Sequence, residues 1–205
     1  MVFVGTEGIY HDHAGQGRFI ADTVSKAGDI EADFSRDYDI LVDGLDSYGS
    51  VLFYTDVGEL TDAQEHGLLE YIEQGGGFFG LHTAAASFHE SEGYHEMLNS
   101  FLLGHSKYMD FEVNIIDSSH ETTRGLADFV VTDELYYVKH DPSMSHHLMQ
   151  AYDPTCDETH VMAFHHTYGD GRVFYFALGH DMAVLENPNF QEVIRRGVLW
   201  VGRQL

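Results

Sequence analysis

The chain has 205 residues, a length typical of one domain and too short for two domains with separate cores. Hydrophobic residues make up 43% and aromatic residues 13%, which is ordinary for a globular protein and excludes a disordered or fibrous chain. Asp and Glu number 34 against 10 Lys and Arg, for a formal net charge of -24, so the chain lacks the basic clusters that bind nucleic acids or anionic membranes.

The acidic residues are spread along the whole chain and form no single block of charge. This distribution favours a surface adapted to high salt over an acidic interaction tail. We therefore expect a halophilic protein, with an ordinary acidic mesophilic protein as the alternative. A role of this surface in a homo-oligomer also stays open.

Cysteine usage and the N-terminal sequence indicate the cellular compartment. Cys156 is the single cysteine, so the sequence offers no disulfide framework and no thiolate cluster for zinc. Residues 1–5 do not resemble a signal peptide, and no window approaches the about 18 consecutive apolar residues of a membrane helix. We expect a cytoplasmic protein without a membrane partner.

The first elements along the chain are short apolar strands and one helix. Residues 2–4 are typical of a buried strand, and a polar loop with His11 and His13 leads into a helix from about Gln16 to Lys26. Residues 50–54 form a second apolar run. Continuous apolar strands favour a parallel sheet that is covered on both faces.

The next segment has a helix with a clear start and stop. Thr61-Asp-Ala-Gln64 fits a capping box, and the glycines at 75–77 end the helix. Residues 78–81 then predict a buried strand, and His82-Thr-Ala-Ala-Ala86 favours another helix. This order of strand, helix, strand, turn and helix is the connectivity of a doubly wound sheet.

The pattern changes after residue 110 to strands with tight turns. Strands are predicted at 111–116, 135–138, 161–167 and 172–178. Tyr168-Gly-Asp-Gly171 predicts a hairpin turn between the last two strands, and Asn187-Pro188 begins a final helix. We therefore predict a single α/β domain over residues 1–205: a doubly wound, mostly parallel, flavodoxin-like sheet with added antiparallel strands in the C-terminal half.

Histidines follow three of the predicted strands. His11 and His13 follow the first, His82 lies in Gly80-Leu-His-Thr-Ala84, and His180 follows the strand at 172–178. Ligands of open α/β sheets bind beyond the carboxyl ends of the strands. These histidines therefore mark the predicted site.

The segment around His82 has the local form of a nucleophile elbow, with histidine where a hydrolase carries Cys or Ser. Cys156 lies far along the chain beside acidic residues that would raise the pKa of its thiol. Covalent thiol catalysis is therefore not expected. Serine-type hydrolysis is also disfavoured, since Thr83 and Ser87 lack the elbow position.

Four segments together resemble the ThuA-like family, which is associated with trehalose utilisation and has a class I glutamine amidotransferase-like fold. They span nearly the whole chain in the family's order and are Gly75-Gly-Gly-Phe-Phe-Gly-Leu-His82-Thr-Ala, Leu102-Leu-Gly-His105, Asp133-Glu-Leu-Tyr136 and Tyr168-Gly-Asp-Gly-Arg-Val-Phe-Tyr-Phe-Ala-Leu-Gly-His180-Asp. The segment 138–159 departs most from the family.

The resemblance implies a function in the catabolism of disaccharides, notably through 3-keto-sugars made by companion dehydrogenases. The family lacks the amidotransferase cysteine, as this chain does, so a functional glutamine amidotransferase is not expected. The expected activity is that of a lyase or hydrolase acting on a small-molecule sugar. The alternative is a non-catalytic carbohydrate-binding or regulatory protein on the same scaffold.

A ketone at sugar carbon 3 acidifies the proton at carbon 2, so a histidine base can start an elimination. For this chemistry we predict three catalytic residues: His82, His180 and Glu134. We predict five further residues that bind or orient the sugar: His11, Thr83, Asp133, Tyr136 and Asp181.

A metal ion is the open question of the predicted site. The imidazoles and carboxylate of His82, His105, Glu134 and His180 suit a divalent transition metal such as zinc or manganese, although their spacing matches no local ligand motif. The alternative is that the histidines contact sugar hydroxyls without a metal. No nucleotide cofactor is expected, since the glycines at 169 and 171 precede no helix.

Overall fold

The computed structural model describes residues 2–5, 10–56 and 58–205. Its strands are β1 (Val2–Val4), β2 (Asp33–Ser35), β3 (Ser50–Phe53), β4 (Gly77–Leu81), β5 (Phe101–His105), β6 (Met109–Ile115), β7 (Phe129–Asp133), β8 (Tyr136–Lys139), β9 (His146–Asp153), β10 (Glu158–Tyr168) and β11 (Gly171–Phe176). Its α-helices are α1 (His13–Ser25), α2 (Ile40–Asp43), α3 (Asp62–Glu73), α4 (Glu92–Leu98), α5 (Met182–Leu185) and α6 (Pro188–Val201). Short 3-10 helices cover Leu45–Ser47 and His82–Ala86.

One sheet of nine strands runs through the structure in the order β2-β1-β3-β4-β11-β10-β9-β6-β7. The strands from β2 to β11 pair in parallel, and those from β11 to β7 pair antiparallel. Strands β5 and β8 form a separate antiparallel pair. The α/β fold and the added antiparallel strands agree with the prediction, whereas a mostly parallel sheet is not confirmed.

The antiparallel half has a local cause in the connections. Strands β10 and β11 are joined through Gly169-Asp170, and Tyr168 pairs with Gly171 across the turn. A connection of two residues can only reverse the chain, whereas parallel neighbours need a long crossover. The predicted hairpin is confirmed, and it couples the parallel strands to the antiparallel ones.

Helices cover both faces of the parallel strands. A methyl group on Gly197 of α6 would collide with the ring of Phe79, whereas the ring of the preceding residue, Phe78, lies 6.1 Å from that of Tyr94 in α4. Adjacent residues of a strand point to opposite faces. Helices α4 and α6 therefore lie on opposite sides of β4, as a doubly wound sheet requires.

Most of the predicted local elements are confirmed, with one change. In α3 the Thr61 hydroxyl accepts the amide of Gln64, and the Gln64 side chain accepts the amide of Thr61, which completes the predicted capping box. The helix predicted at residues 82–86 is a five-residue 3-10 helix. It begins at His82 with a φ of 45°, and this left-handed residue prevents a regular α-helical start.

The parallel strands position the site. Chain segments leave the carboxyl ends of β1, β3, β4 and β11 toward His11, Asp56, His82 and His180. All four therefore meet at one edge of the sheet. Within the described parts of the chain, no helix is long and apolar enough to span a membrane.

Candidate functional site

A cavity of about 680 Å³ opens at the carboxyl edge of the parallel strands. Its walls combine imidazoles and carboxylates with apolar groups of β5. The lining residues used below are His11, Asp56, Thr83, His105, Glu134, Tyr136 and His180. A cavity of this size holds a small molecule such as a sugar.

His82 lies beneath this cavity in a strained and fully buried position. Its φ of 45° is unusual for a residue with a Cβ, and its exposed fraction is 0%. Its Nδ1 lies 2.6 Å from the carbonyl oxygen of Ala177, so this nitrogen donates. Its Nε2 is buried and has no hydrogen-bond partner among the described residues. Burial, aided by the charge of His11, lowers the pKa of His82 far below its usual value, so the ring is neutral.

The position of His82 depends on the close approach of Gly179. Gly179 has a φ of 144°, and a Cβ placed on it would lie only 2.9 Å from Cβ of His82. The Tyr54 hydroxyl lies 2.7 Å from the Gly179 carbonyl oxygen. Glycine at this position therefore lets the segment before His180 pass directly over the His82 backbone.

His11 reaches the same place from the loop after β1. Its Nε2 lies 3.1 Å from Nδ1 of His180, and its Nδ1 lies 3.5 Å from Oδ2 of Asp56. Burial alone would raise the pKa of Asp56, but the hydrogen bond from His11 and the charges of His11 and His13 lower it. Asp56 is thus a buried carboxylate that orients the His11 ring.

Glu134 bridges two histidines of the cavity wall. Its Oε1 lies 3.5 Å from Nδ1 of His105, and its Oε2 lies 3.3 Å from Nδ1 of His180. Burial lowers the pKa of His180, and the charge of His11 adds to this shift, although the Glu134 carboxylate opposes it. His180 is therefore largely neutral near pH 7.

Asp133 holds the backbone on which these side chains stand. Its carboxylate is fully buried and accepts the amides of Gly179 at 2.8 Å, His180 at 3.2 Å and Glu134 at 2.8 Å. Burial raises the pKa of Asp133 to about 7, against the effect of these three hydrogen bonds. Asp133 therefore orients Glu134 and His180 from below and does not line the cavity.

The remaining predicted residues divide into those at the cavity and one away from it. Thr83 lines the cavity and lies 3.4 Å from Nε2 of His13 through its hydroxyl. Tyr136 also lines it and stacks on His82 with ring centroids 4.0 Å apart. The Asp181 carboxylate instead accepts the Tyr108 hydroxyl and caps α5.

The structure groups the predicted metal-binding residues differently from the prediction. One ring nitrogen from each of His11, His82 and His180 lies within 4.8 Å of the other two. Nδ1 of His105 instead lies 2.8 Å from the Ser106 carbonyl oxygen. His11, predicted as a sugar-binding residue, therefore takes the place predicted for His105.

Asp56 is the site residue that the sequence analysis missed. It lies two residues beyond the apolar run at 50–54, and an acidic residue at the end of a predicted parallel strand was the available signal. One carboxylate among 34 acidic residues does not stand out by composition, whereas a histidine at a strand end does.

The sequence matches one known family over nearly its whole length. The family model is ThuA, described as trehalose utilisation, and it matches residues 1–201. No curated protein matches the sequence.

Several solved structures share the fold. A ThuA-like protein from Parabacteroides merdae ATCC 43184 superposes with a TM-score of 0.85 at 18% identity, covering 98% of this chain and 89% of that one. A ThuA-like protein from Bacteroides uniformis ATCC 8492 gives 0.76 at 16% identity, covering 97% and 90%. A GMP synthase component from Thermoplasma acidophilum gives 0.62 at 12% identity, covering 99% and 94%. At these identities the likeness establishes the fold alone.

Proposed function

This chain belongs to the ThuA family, and from that premise we propose that it is a carbohydrate-active lyase or hydrolase that acts on a keto-sugar or glycoside. The chemistry is histidine-based acid–base catalysis without a cysteine nucleophile. The observation that carries the proposal is the Glu134 carboxylate between the imidazoles of His105 and His180 on the cavity wall. A carboxylate in this position stabilises an imidazole that has taken a proton.

His105 is the histidine best suited to remove a proton from the sugar. Its Nδ1 faces two acceptors, the Ser106 carbonyl oxygen at 2.8 Å and Glu134 at 3.5 Å. Both acceptors hold the proton on Nδ1, which leaves the basic lone pair on Nε2. The side chain is 45% exposed and lines the cavity, so a substrate can reach it.

His82 and His180 support the site in other ways. His82 is fully buried and its Nδ1 is bonded to the Ala177 carbonyl, so we assign it to holding the site. His180 contacts both His11 and Glu134 and is placed to stabilise negative charge on the reacting sugar. Tyr136 adds a hydroxyl whose pKa is raised by burial, so it stays protonated and can donate.

The proposed reaction is an elimination from a sugar with a ketone at carbon 3. His105 takes the proton at carbon 2, and the electron pair of that C–H bond forms an enolate with the ketone. The enolate then expels the oxygen at carbon 1, which takes up a proton. The products are an unsaturated keto-sugar and a free alcohol or sugar. Addition of water to the double bond would complete a hydrolysis.

The test uses 3-keto-trehalose and a methyl 3-keto-glucoside in D₂O, followed by NMR. We expect deuterium to enter at carbon 2 and the glycosidic bond to break. His105→Gln should slow both processes by about 10²–10⁴-fold, the usual contribution of a general base. The matched control is His66→Gln on the surface of α3, where the side chain is 80% exposed.

One result would favour the non-catalytic alternative. If the wild-type protein binds keto-disaccharides and plain disaccharides but neither exchanges the proton nor releases a product, it is a carbohydrate-binding protein. A plain disaccharide that is cleaved without a ketone would instead rule out the elimination route.

A further inference from the structure

We propose that one divalent transition-metal ion binds at the floor of the cavity, held by three imidazoles and one carboxylate: His11, His82, His180 and Glu134. The three histidines follow β1, β4 and β11, which come from distant parts of the chain. Their ring nitrogens nevertheless lie within 4.8 Å of one another. Separate loops thus bring ligand atoms of one chemical type to one point.

The separations between ligand atoms fit a single ion. Two nitrogen ligands at about 2.0–2.1 Å from a tetrahedral zinc lie about 3.3 Å from each other. Nε2 of His11 and Nδ1 of His180 are 3.1 Å apart. Nδ1 of His180 and Oε2 of Glu134 are 3.3 Å apart. Both distances match the edge of such a coordination polyhedron.

The second nitrogen of two of these rings is already engaged. Nδ1 of His82 donates to the Ala177 carbonyl at 2.6 Å, and Nδ1 of His11 lies 3.5 Å from the Asp56 carboxylate. Histidines that bind metals typically donate their other N–H to a carbonyl or carboxylate, which fixes the tautomer. In both rings this leaves the Nε2 lone pair as the ligand.

The buried Nε2 of His82 is the second, independent observation. His82 is fully buried, and this nitrogen lacks a hydrogen-bond partner among the described residues. A buried polar atom without a partner is unfavourable. A metal ion would supply the partner, and no rearrangement of the strained His82 backbone would be needed.

The ligand set indicates the class of metal. Three imidazoles and one carboxylate without a thiolate suit zinc and neighbouring divalent transition metals. Such an ion acts as a Lewis acid toward a keto oxygen. That catalytic role rests on the proposed function, whereas the binding of the ion does not. His105 remains outside the ligand set as the base.

Two other groups of side chains could also hold an ion, and the experiment must separate them. One shares His11 but adds His13 and Asp56, and the other consists of Cys156, Glu158 and His160 on the β9–β10 hairpin. The hairpin group is largely exposed and contains the single thiol. All measurements are therefore made on the full-length, untagged chain carrying Cys156→Ser.

The protein is stripped with a chelator and titrated with Co²⁺, read by its visible absorption, and with Zn²⁺ in competition. We expect one equivalent per chain. His180→Ala and Glu134→Gln should each weaken binding by more than the about 10–100-fold that loss of an outer partner costs. Asp56→Asn should fall within that range. His13→Gln and the surface control His66→Gln should bind as the parent does.

Three results would overturn the site: no cobalt absorption in the parent, unchanged affinity in both His180→Ala and Glu134→Gln, or loss of the ion in His13→Gln. Circular dichroism of each variant checks that it folds, and Glu134→Gln serves as the conservative substitution if His180→Ala does not fold. Binding is read without substrate. An active, metal-free protein would contradict the metal site only, and a metal-bound, inactive one would contradict the proposed function only.

Discussion

Nε2 of His11 lies 3.1 Å from Nδ1 of His180, although the two residues are 169 positions apart in the sequence. The contact arises because β1 and β11 run in the same direction in one sheet, with β3 and β4 between them. Strand β1 has β2 on one side and β3 on the other, so the order of the strands reverses there. Such switch points are where open α/β sheets bind their ligands, and His11 and Asp56 follow the two strands concerned.

The net charge of -24 predicts that salt stabilises the protein. Raising the ionic strength from 0.1 to 1 M shortens the Debye length from about 10 to about 3 Å and weakens repulsion between surface carboxylates. We expect the free energy of unfolding, measured by urea denaturation, to rise with NaCl.

The matched control for the salt effect removes charge at one place. Asp43, Asp46 and Glu70 line one shallow depression of the surface. The double substitution Asp43→Asn and Asp46→Asn should reduce the dependence on salt. A free energy of unfolding that is constant from about 0.1 to about 1 M NaCl, a range that spans strong and weak screening, would contradict a halophilic surface.

Replacing the Asp133 carboxylate should destabilise the site and the fold together. It accepts three backbone amides, including those of Glu134 and His180. In Asp133→Asn the amide nitrogen must face at least one of these N–H groups. We expect a loss of about 1–3 kcal/mol in the free energy of unfolding, the cost of an unsatisfied buried donor.

The control for Asp133 is Asp22→Asn on the exposed side of α1, where we expect a change within about 0.5 kcal/mol. Equal effects of the two substitutions in urea denaturation would show that the three amides do not depend on the carboxylate.

Local features of the fold could be predicted from the sequence, because their determinants lie within a few residues. The capping box of Thr61 and Gln64 and the hairpin at Gly169 are examples, and both are confirmed. Strand β5 was missed. It pairs with β8, far along the chain, and nothing in its own five residues predicts that partner.

The candidate site shows the same limit. That histidines cluster at strand ends follows from local sequence, but which of them meet depends on strand order and register. His11 and His105 were therefore exchanged in the predicted metal set. Asp181 was expected near the sugar, yet its oxygens are engaged by Tyr108 and the first turn of α5. The contact with Tyr108 spans 73 positions, and no local pattern contains it.

A second histidine cluster, away from the cavity, predicts a pH dependence of stability. The His165 ring lies 4.5 Å from those of His120 and Trp200 and 5.1 Å from that of His146. Arg172 stacks over Trp200, and Asp117 bonds His146. Burial, followed by the charges of His120 and His146, lowers the pKa of His165 to about 3.

The sign follows from proton binding. Because the pKa of His165 is about 3 in the folded protein and about 6.5 in the unfolded chain, the unfolded chain binds the proton first as the pH falls. The contribution of His165 to stability is complete above about pH 6.5 and is lost between that value and about pH 3.

The substitution His165→Phe keeps the aromatic packing and removes the titration. Urea denaturation at about pH 7.5 and about pH 5.5, on either side of the unfolded-chain pKa, should show a smaller loss of stability for this variant than for the wild type. Other buried histidines titrate in both proteins, so the difference between the two slopes is the relevant quantity. His66→Gln should keep the wild-type slope, and parallel slopes for His165→Phe and wild type would contradict the prediction.

The close contact between Gly179 and His82 can be tested with a pair of glycine substitutions. Gly125 has a φ of 78° and would have nothing within 4 Å of an added Cβ, so Gly125→Ala introduces backbone strain alone, at a cost of about 1 kcal/mol. Gly179→Ala adds a Cβ only 2.9 Å from Cβ of His82. Because overpacking costs about 1–3 kcal/mol, Gly179→Ala should be the less stable variant by about that amount in urea denaturation. It should also shift the NMR signals of the His82 ring, whereas Gly125→Ala should leave them in place. Equal stability of the two variants with unshifted His82 signals would mean that the approach of Gly179 does not hold His82 in its left-handed conformation.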